Sequence, residues 1–475
     1  METTNRVKPH LSLLTSGQRE QIHQYALEIL TRTGVRVDSE PVQQLLLKRL
    51  GAGAVKEKIV RFPAEVVDWA LAAAPARIEL FDRRGARAFE LGDGTLHYGI
   101  GVTTLFYQDP LSGDLAPFTR RHMQDMVRLG SSLSHYEAIS TVGIVQDVPT
   151  PLSDLYGTLE MLANTTKPLV LLVSDEDKFS AVLDLCEQLQ GDLAAKPFLL
   201  PYFNPVSPLV MNAGTVDKMG MAIERGLPVI FSNYSMAGAS TPLTPAGTLA
   251  LLLAELLAGL TISQIMRQGA PILLGMLPVY FDLKAMTNFY DPQSILLNLA
   301  CAEMMAHYHL PHCGTSGSGT GWGADLIAAD TYWMNSLTYC MSTGGLAPFV
   351  GDTLGSKVFS PKTVVYIQEV IDQSSRLAAG FELDDQHAVL DEIDHIGAGG
   401  NFLSAPSTLK GYKSGYYSSP VFARWSMEKW QGAGRPTADQ VLGKYTAELI
   451  SKSPAPDDHA ELMAKGEAFI AALAP

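Results

Sequence analysis

Tyr98, Phe203, Tyr234, Trp322 and Phe349 each lie within or just beyond a short apolar run, with small neutral residues nearby: Asn204, Ser232, Asn233 and Ser318. Charge is sparse in this company. Asp282 and Asp352 are its acids, and Lys284 and Lys357 are the nearest lysines. An aromatic, weakly charged set of this kind suits a quaternary ammonium ion, held on ring faces at about 0.5–2 kcal/mol per good contact. A methyl group displaced from such a nitrogen leaves behind a neutral amine. Attack by a strong external nucleophile then needs no general acid, and the protein contributes positioning and desolvation. Taken one at a time, the same aromatics also suit ordinary core packing.

Other chemistries find less support in the residues. No apolar run contains a lysine that could form a Schiff base. His97 and His312 are the only histidines within such runs, fewer than a metal hydrolase needs, and both read as structural histidines. Residues 314–321, Gly-Thr-Ser-Gly-Ser-Gly-Thr-Gly, form either a tight loop or a backbone cradle for phosphate or flavin. A phosphate- or flavin-binding lyase or oxidoreductase therefore stays open, as does a non-catalytic binding protein. Cys186, Cys301, Cys313 and Cys340 are far apart, which points to free thiols in a reducing compartment. A formal charge of −14 disfavours nucleic acid and anionic membrane as partners. The start, METTNRVKPH, lacks a signal-peptide pattern, and the longest apolar stretch (249–265) is broken by Glu255 and Gln264. A cytoplasmic protein outside the membrane is expected; its oligomeric state, homo-oligomer included, is left open.

The elements that must position these residues follow a rhythm: apolar run, Gly/Ser/Asn/Pro break, helix. The runs are 96–101, 138–144, 168–174, 198–204, 228–234, 271–277, 310–315 and 346–351. Helical patterns fill the gaps at 120–134, 152–164, 177–190, 213–224, 246–267, 292–307 and 328–342. Near-continuous apolar strands joined by crossover helices imply parallel pairing, buried on both faces. Eight units suit a closed (β/α)8 barrel, an α/β fold whose chemistry sits at the C-terminal tips of its strands. An open doubly wound sheet would carry a dinucleotide fingerprint after its first strand, where this chain has Val102-Thr103-Thr104. The expected organisation is a helical segment over 1–93, a barrel over 94–360 and a packed extension over 361–475. In the first segment helices are predicted at 16–33 (Ser16 as N-cap, Gly34 as stop), 40–50 and 62–73.

Several stretches resemble the trimethylamine methyltransferase family. They are Asn233-Tyr-Ser-Met-Ala-Gly-Ala-Ser-Thr-Pro-Leu-Thr-Pro-Ala-Gly-Thr-Leu, Ala254-Glu-Leu-Leu-Ala-Gly, Asn204-Pro-Val-Ser-Pro-Leu, Phe281-Asp-Leu-Lys and Gly397-Ala-Gly-Gly-Asn-Phe-Leu. The resemblance implies a barrel that moves a methyl group from a methylated amine to Co(I) of a corrinoid carried by a separate protein, with no cofactor held tightly by the barrel itself. The family's trimethylamine enzymes carry pyrrolysine in the loop after the seventh strand. Alignment on Leu310-Pro311 and Asp325 puts Ser318 at that position, so trimethylamine itself is disfavoured. Relatives without pyrrolysine resemble quaternary-amine demethylases, with glycine betaine as the leading substrate. On this reading the ammonium sits among Tyr98, Phe203, Tyr234, Trp322 and Phe349. A substrate carboxylate is met by Asn204, His312, Asn401, the backbone of residues 314–319 with Ser318, or Lys284 or Lys357. Asn401 enters only through its match to the family's Gly-Asn-Phe-Leu stretch.

Overall fold

Six of the eight apolar runs become strands that pair in parallel and in chain order: Leu96–Ile100, Tyr136–Ser140, Leu169–Leu171, Leu199–Phe203, Val229–Ala237 and Ile272–Asp282. A further strand, Gly345–Val350, pairs back onto the first. The computed structural model describes residues 5–315, 319 and 321–473. The remaining position in the ring is filled by isolated bridges at His312 and Cys313, where the sequence predicts a strand over 310–315. The Cys313 N–H donates to the Leu274 carbonyl (2.9 Å), and the Leu346 N–H to the His312 carbonyl (2.9 Å). Those bonds close a (β/α)8 barrel.

One helix follows each strand around the ring: Arg120–Ser132, Ser153–Asn164, Phe179–Gln190, Ala213–Glu224, Pro245–Met266, Pro292–His307, Leu326–Cys340 and Pro361–Ala379. The last completes the eight repeats, although the sequence reading groups it with the tail. Helix Pro245–Met266 is long and apolar enough to cross a membrane, but 83% of its most apolar window is buried inside the protein. It is the central helix of the outer core, packed on the fifth and sixth strands and on the N-terminal helices.

Residues before the barrel form more than helices. Helix Ser16–Glu28 is capped by Thr15, not Ser16, because the Thr15 hydroxyl accepts from the Gln18 N–H and Gln18 returns a bond to the Thr15 N–H. Strand Val35–Val37 pairs with Val210–Met211, so this segment is stitched to the loop after the fourth barrel strand. A hairpin, Ile78–Phe81 with Arg87–Leu91, inserts Ile78, Leu80, Phe89 and Leu91 under the barrel. Its Phe81 N–H donates to Pro197 at the start of the fourth strand (3.0 Å), which marks this as the N-terminal face. At the opposite end the sixth strand runs on to Asp282 and folds back as Thr287–Phe289, a hairpin at the barrel mouth.

The tail returns to the barrel through helices Ala438–Lys452 and His459–Leu473. Its anchor is ionic. Asp458 accepts two bonds of 2.8 Å from the guanidinium of Arg83, whose side chain is 2% exposed. Removing the carboxylate strands a buried cation, so Asp458→Ala is expected to cost about 3 kcal/mol in chemical denaturation. The Arg83 hydrogen bond holds the Asp458 carboxyl below its usual range. A depressed carboxylate stabilises the fold above the unfolded-state pKa of about 3.9, and that contribution is lost as pH falls through the lower folded value. The stability gap between wild type and Asp458→Ala should therefore narrow on acidification below about pH 4.

Candidate active site

Alternation along the strands decides which side chains enter the barrel. On the fourth strand Leu200 and Tyr202 point inward, while Phe203 packs outward, edge-on to Phe179 of the adjacent helix (5.8 Å between ring centroids). On the fifth, Ile230 is inward and Phe231 outward, which puts Ser232 and Tyr234 on the inner face. The eighth strand loses register between Ala347 and Val350, and there Leu346 and Phe349 both reach the interior.

The lower interior is an apolar layer that includes Ala138, Val170, Leu200, Ile230, Leu273 and Leu346, packed on the hairpin plug. Above it Tyr202 and Phe349 meet edge to face, their centroids 5.1 Å apart and their planes at 88°. The Asn204 amide donates to the Tyr202 hydroxyl (3.1 Å) and to the Ser232 carbonyl (2.9 Å). Because the Tyr202 oxygen accepts from Asn204, its own proton is left for another acceptor. The Ser232 hydroxyl is buried beside it and within its reach. Burial pushes the Tyr202 hydroxyl well above the usual phenol range, so it stays a neutral donor.

Tyr234 stands higher, 38% exposed, its hydroxyl bonded to the Asn288 amide of the mouth hairpin. Burial raises its pKa, and the buried carboxylate of Asp352 adds to the shift. Asp352 lies just past the eighth strand, and its carbonyl accepts from the Tyr332 hydroxyl (2.8 Å). Asn288 also lines a cleft of about 570 Å³, with Trp322, Leu326, Asp330, Gly355 and Lys357 among its other walls. Aromatic faces and neutral hydroxyl donors inside, with an open cleft beside the mouth, make a site that can bind and orient a small cation. Among the described residues it offers no inward lysine, arginine or histidine at this level.

The expected site residues are thus divided. Asn204, Tyr234 and Phe349 share the inner face of the barrel. Trp322 is at the outer cleft, 71% exposed, its carbonyl accepting from Gln108 (3.0 Å). Phe203, by alternation, belongs to the helix layer. Tyr98 does too, since its strand turns it outward to the thiol of Cys340 (3.2 Å) and the ring of Tyr339. His312 also faces away from the mouth, its Nδ1 3.4 Å from the Tyr339 hydroxyl, and burial lowers its pKa to about 3. A neutral imidazole there cannot hold a carboxylate by charge. Asn401 is exposed on the tail, where its side-chain oxygen accepts from the Leu403 N–H (3.2 Å). Lys284 is exposed near the hairpin turn and Lys357 lines the outer cleft. Ser318 lies outside the described residues, as do Ser316, Gly317 and Thr320. Tyr202 is the residue the sequence reading passed over. Its signal was the alternation that puts 200, 202 and 204 on one face.

Comparisons with known proteins agree with this architecture. The monomethylamine methyltransferase of Methanosarcina barkeri superimposes with a TM-score of 0.55 at 11% identity, covering 95% of this chain and 90% of its own. Glycine betaine methyltransferase of Desulfitobacterium hafniense is 24% identical over 472 residues, 98% of this chain and 97% of that protein. Trimethylamine methyltransferase MttB of Desulfitobacterium hafniense is 24% identical over 444 residues, 90% of this chain and 89% of that protein. A family model, trimethylamine methyltransferase (MTTB), matches residues 1–472, and the chain belongs to that family of methyltransferases.

Proposed function

We propose that this methyltransferase takes a methyl group from a quaternary amine, glycine betaine first among the candidates, and passes it to Co(I) of a corrinoid carried by a separate protein. The observation that carries the reading is the inward pair Tyr202 and Phe349, set beside the neutral amide of Asn204 and hydroxyl of Ser232. The trimethylammonium group rests against the faces of Phe349 and Tyr234, one methyl turned toward the mouth. A substrate carboxylate takes hydrogen bonds from the hydroxyls of Tyr202 and Ser232, an uncharged match for a zwitterion. The nucleophile's electron pair forms the new bond to the methyl carbon, and the old C–N pair stays on nitrogen. The product is a neutral tertiary amine, so no side chain has to deliver a proton. What the chain supplies is orientation and exclusion of water. The corrinoid partner is implied by the family resemblance, and the cleft beside Tyr234 gives a large cofactor face a route to the mouth.

Trimethylamine is the second reading, favoured by the relative named for it. Product analysis separates the two. The protein is incubated anaerobically with reduced cobalamin and, in parallel, glycine betaine, carnitine, proline betaine or trimethylamine, and the demethylated amine is read by proton NMR. Dimethylglycine from glycine betaine, with little dimethylamine from trimethylamine, is the expected result. Dimethylamine as the sole product would sink the quaternary-amine reading. Tight betaine binding with no product from any arm would leave a binding barrel instead.

A further inference from the structure

Three of the stretches that carry the family resemblance, 204–209, 233–249 and 254–259, are separate in sequence and meet at one side chain. Glu255, on helix Pro245–Met266, is completely buried. One carboxylate oxygen accepts from the Leu209 N–H (2.8 Å). The other accepts from the Ser207 hydroxyl (2.8 Å) and the Asn233 amide (2.9 Å). The Asn233 amide nitrogen also donates to the Leu252 carbonyl (2.9 Å), which fixes its orientation against the same helix. No lysine, arginine or histidine among the described residues pairs with this carboxylate, and burial pushes its pKa up while the three donors pull it back.

An unpaired buried carboxylate is a poor way to stabilise a core, since an apolar residue of similar volume usually does better. Its neighbours suggest what it is kept for. The loop it holds begins at Asn204, whose amide ties Tyr202 to the fifth strand, and whose carbonyl accepts from the Thr215 hydroxyl (2.8 Å). Asn233 sits between Ser232 and Tyr234, pointing outward while they point in. The loop and the strand therefore share a single fastening on the outer side of the barrel wall, directly behind the inner face that bears the pocket.

We propose that Glu255 is a positioning residue for substrate binding: it fastens the Asn204 loop to the fifth strand, and so sets the spacing of Tyr202, Ser232 and Tyr234 inside the barrel. The proposal rests on the function assigned to that pocket above. Its test uses the full-length protein, glycine betaine as the varied substrate and free reduced cobalamin as acceptor. Glu255→Leu removes all three acceptor contacts and is expected to raise the KM for betaine roughly 10-fold, with kcat changed less than about 3-fold, because the path to the acceptor is untouched. Glu255→Gln keeps shape and part of the bonding, and should recover most of the loss. Ser207→Ala loses one bond and should fold in any case; a KM increase of about 3-fold is expected. A folded Glu255→Leu with wild-type KM would overturn the proposal. Should that variant not fold, wild-type KM in Ser207→Ala would do the same. If wild type itself turns over no quaternary amine, the proposed function has failed before Glu255 is in question.

Discussion

Gly275→Ala is expected to abolish the closed barrel. A Cβ built on Gly275 would lie 1.8 Å from the Cys313 carbonyl oxygen and 2.8 Å from its carbon, far inside any tolerable contact. The obstruction is backbone, so no rotamer change relieves it. It also falls where the isolated bridges of His312 and Cys313 join the sixth strand to the eighth. Pushing them outward breaks the Cys313-to-Leu274 and Leu346-to-His312 hydrogen bonds together. Gly345 allows no retreat on the other side, since a Cβ there would stand 2.4 Å from the His312 carbonyl at a φ of +135°. The expected cost exceeds about 4 kcal/mol, seen as loss of soluble protein or of a cooperative melt. Gly220→Ala is the matched control. In helix Ala213–Glu224 its Cβ would meet only Met266 at 3.7 Å or beyond, and a gain of up to about 1 kcal/mol is expected from helix propensity. A Gly275→Ala protein melting like wild type would refute closure through residues 312–313.

Phe349 gives the largest effect on binding. Truncation to alanine removes the edge-to-face partner of Tyr202 and opens a cavity in the upper barrel, for a stability loss of about 3–5 kcal/mol. Leucine is the more informative replacement, because it roughly retains apolar volume and should cost less than about 1.5 kcal/mol. It deletes the π face, however, so affinity for a quaternary ammonium should fall by about 10-fold, the equivalent of a desolvated cation–π contact. Isothermal titration of betaine with Phe349→Leu separates packing from recognition. Tyr98→Phe supplies the contrast. Its hydroxyl faces Cys340 outside the strand layer, so betaine affinity should stay at the wild-type value. Equal losses in both variants would contradict the inward assignment of the pocket.

The barrel was legible because each strand is a short, nearly continuous apolar run closed off by Gly, Pro or His, with helical periodicity between runs. The same property hid the site. A strand buried on both faces has no polar side to reveal its orientation, so Tyr98 and Phe203 looked as suitable as Phe349. Parity could have recovered Tyr202, since Leu200, Tyr202 and Asn204 lie two apart. No sequence rule would have found Phe349 by parity, because the irregularity after Ala347 resets the alternation. His312 was legible as a structural histidine and misleading as a ligand, its environment being set by Tyr339 on the next helix. Asn401 came from resemblance alone, which carries identity without position. In the sequence Glu255 is only an interruption in an apolar helix; its partners lie 22 to 48 residues away in the chain and cannot be read from spacing.

The most direct measurement is the visible spectrum of Co(I)-cobalamin mixed anaerobically with this protein and glycine betaine. Methyl transfer from a quaternary amine requires that the Co(I) absorption decay and the methyl-Co(III) spectrum rise in proportion to the dimethylglycine formed, faster than with trimethylamine, and at least several-fold slower with Phe349→Leu at sub-saturating betaine. Methyl-Co(III) appearing with trimethylamine and with no quaternary amine would contradict it.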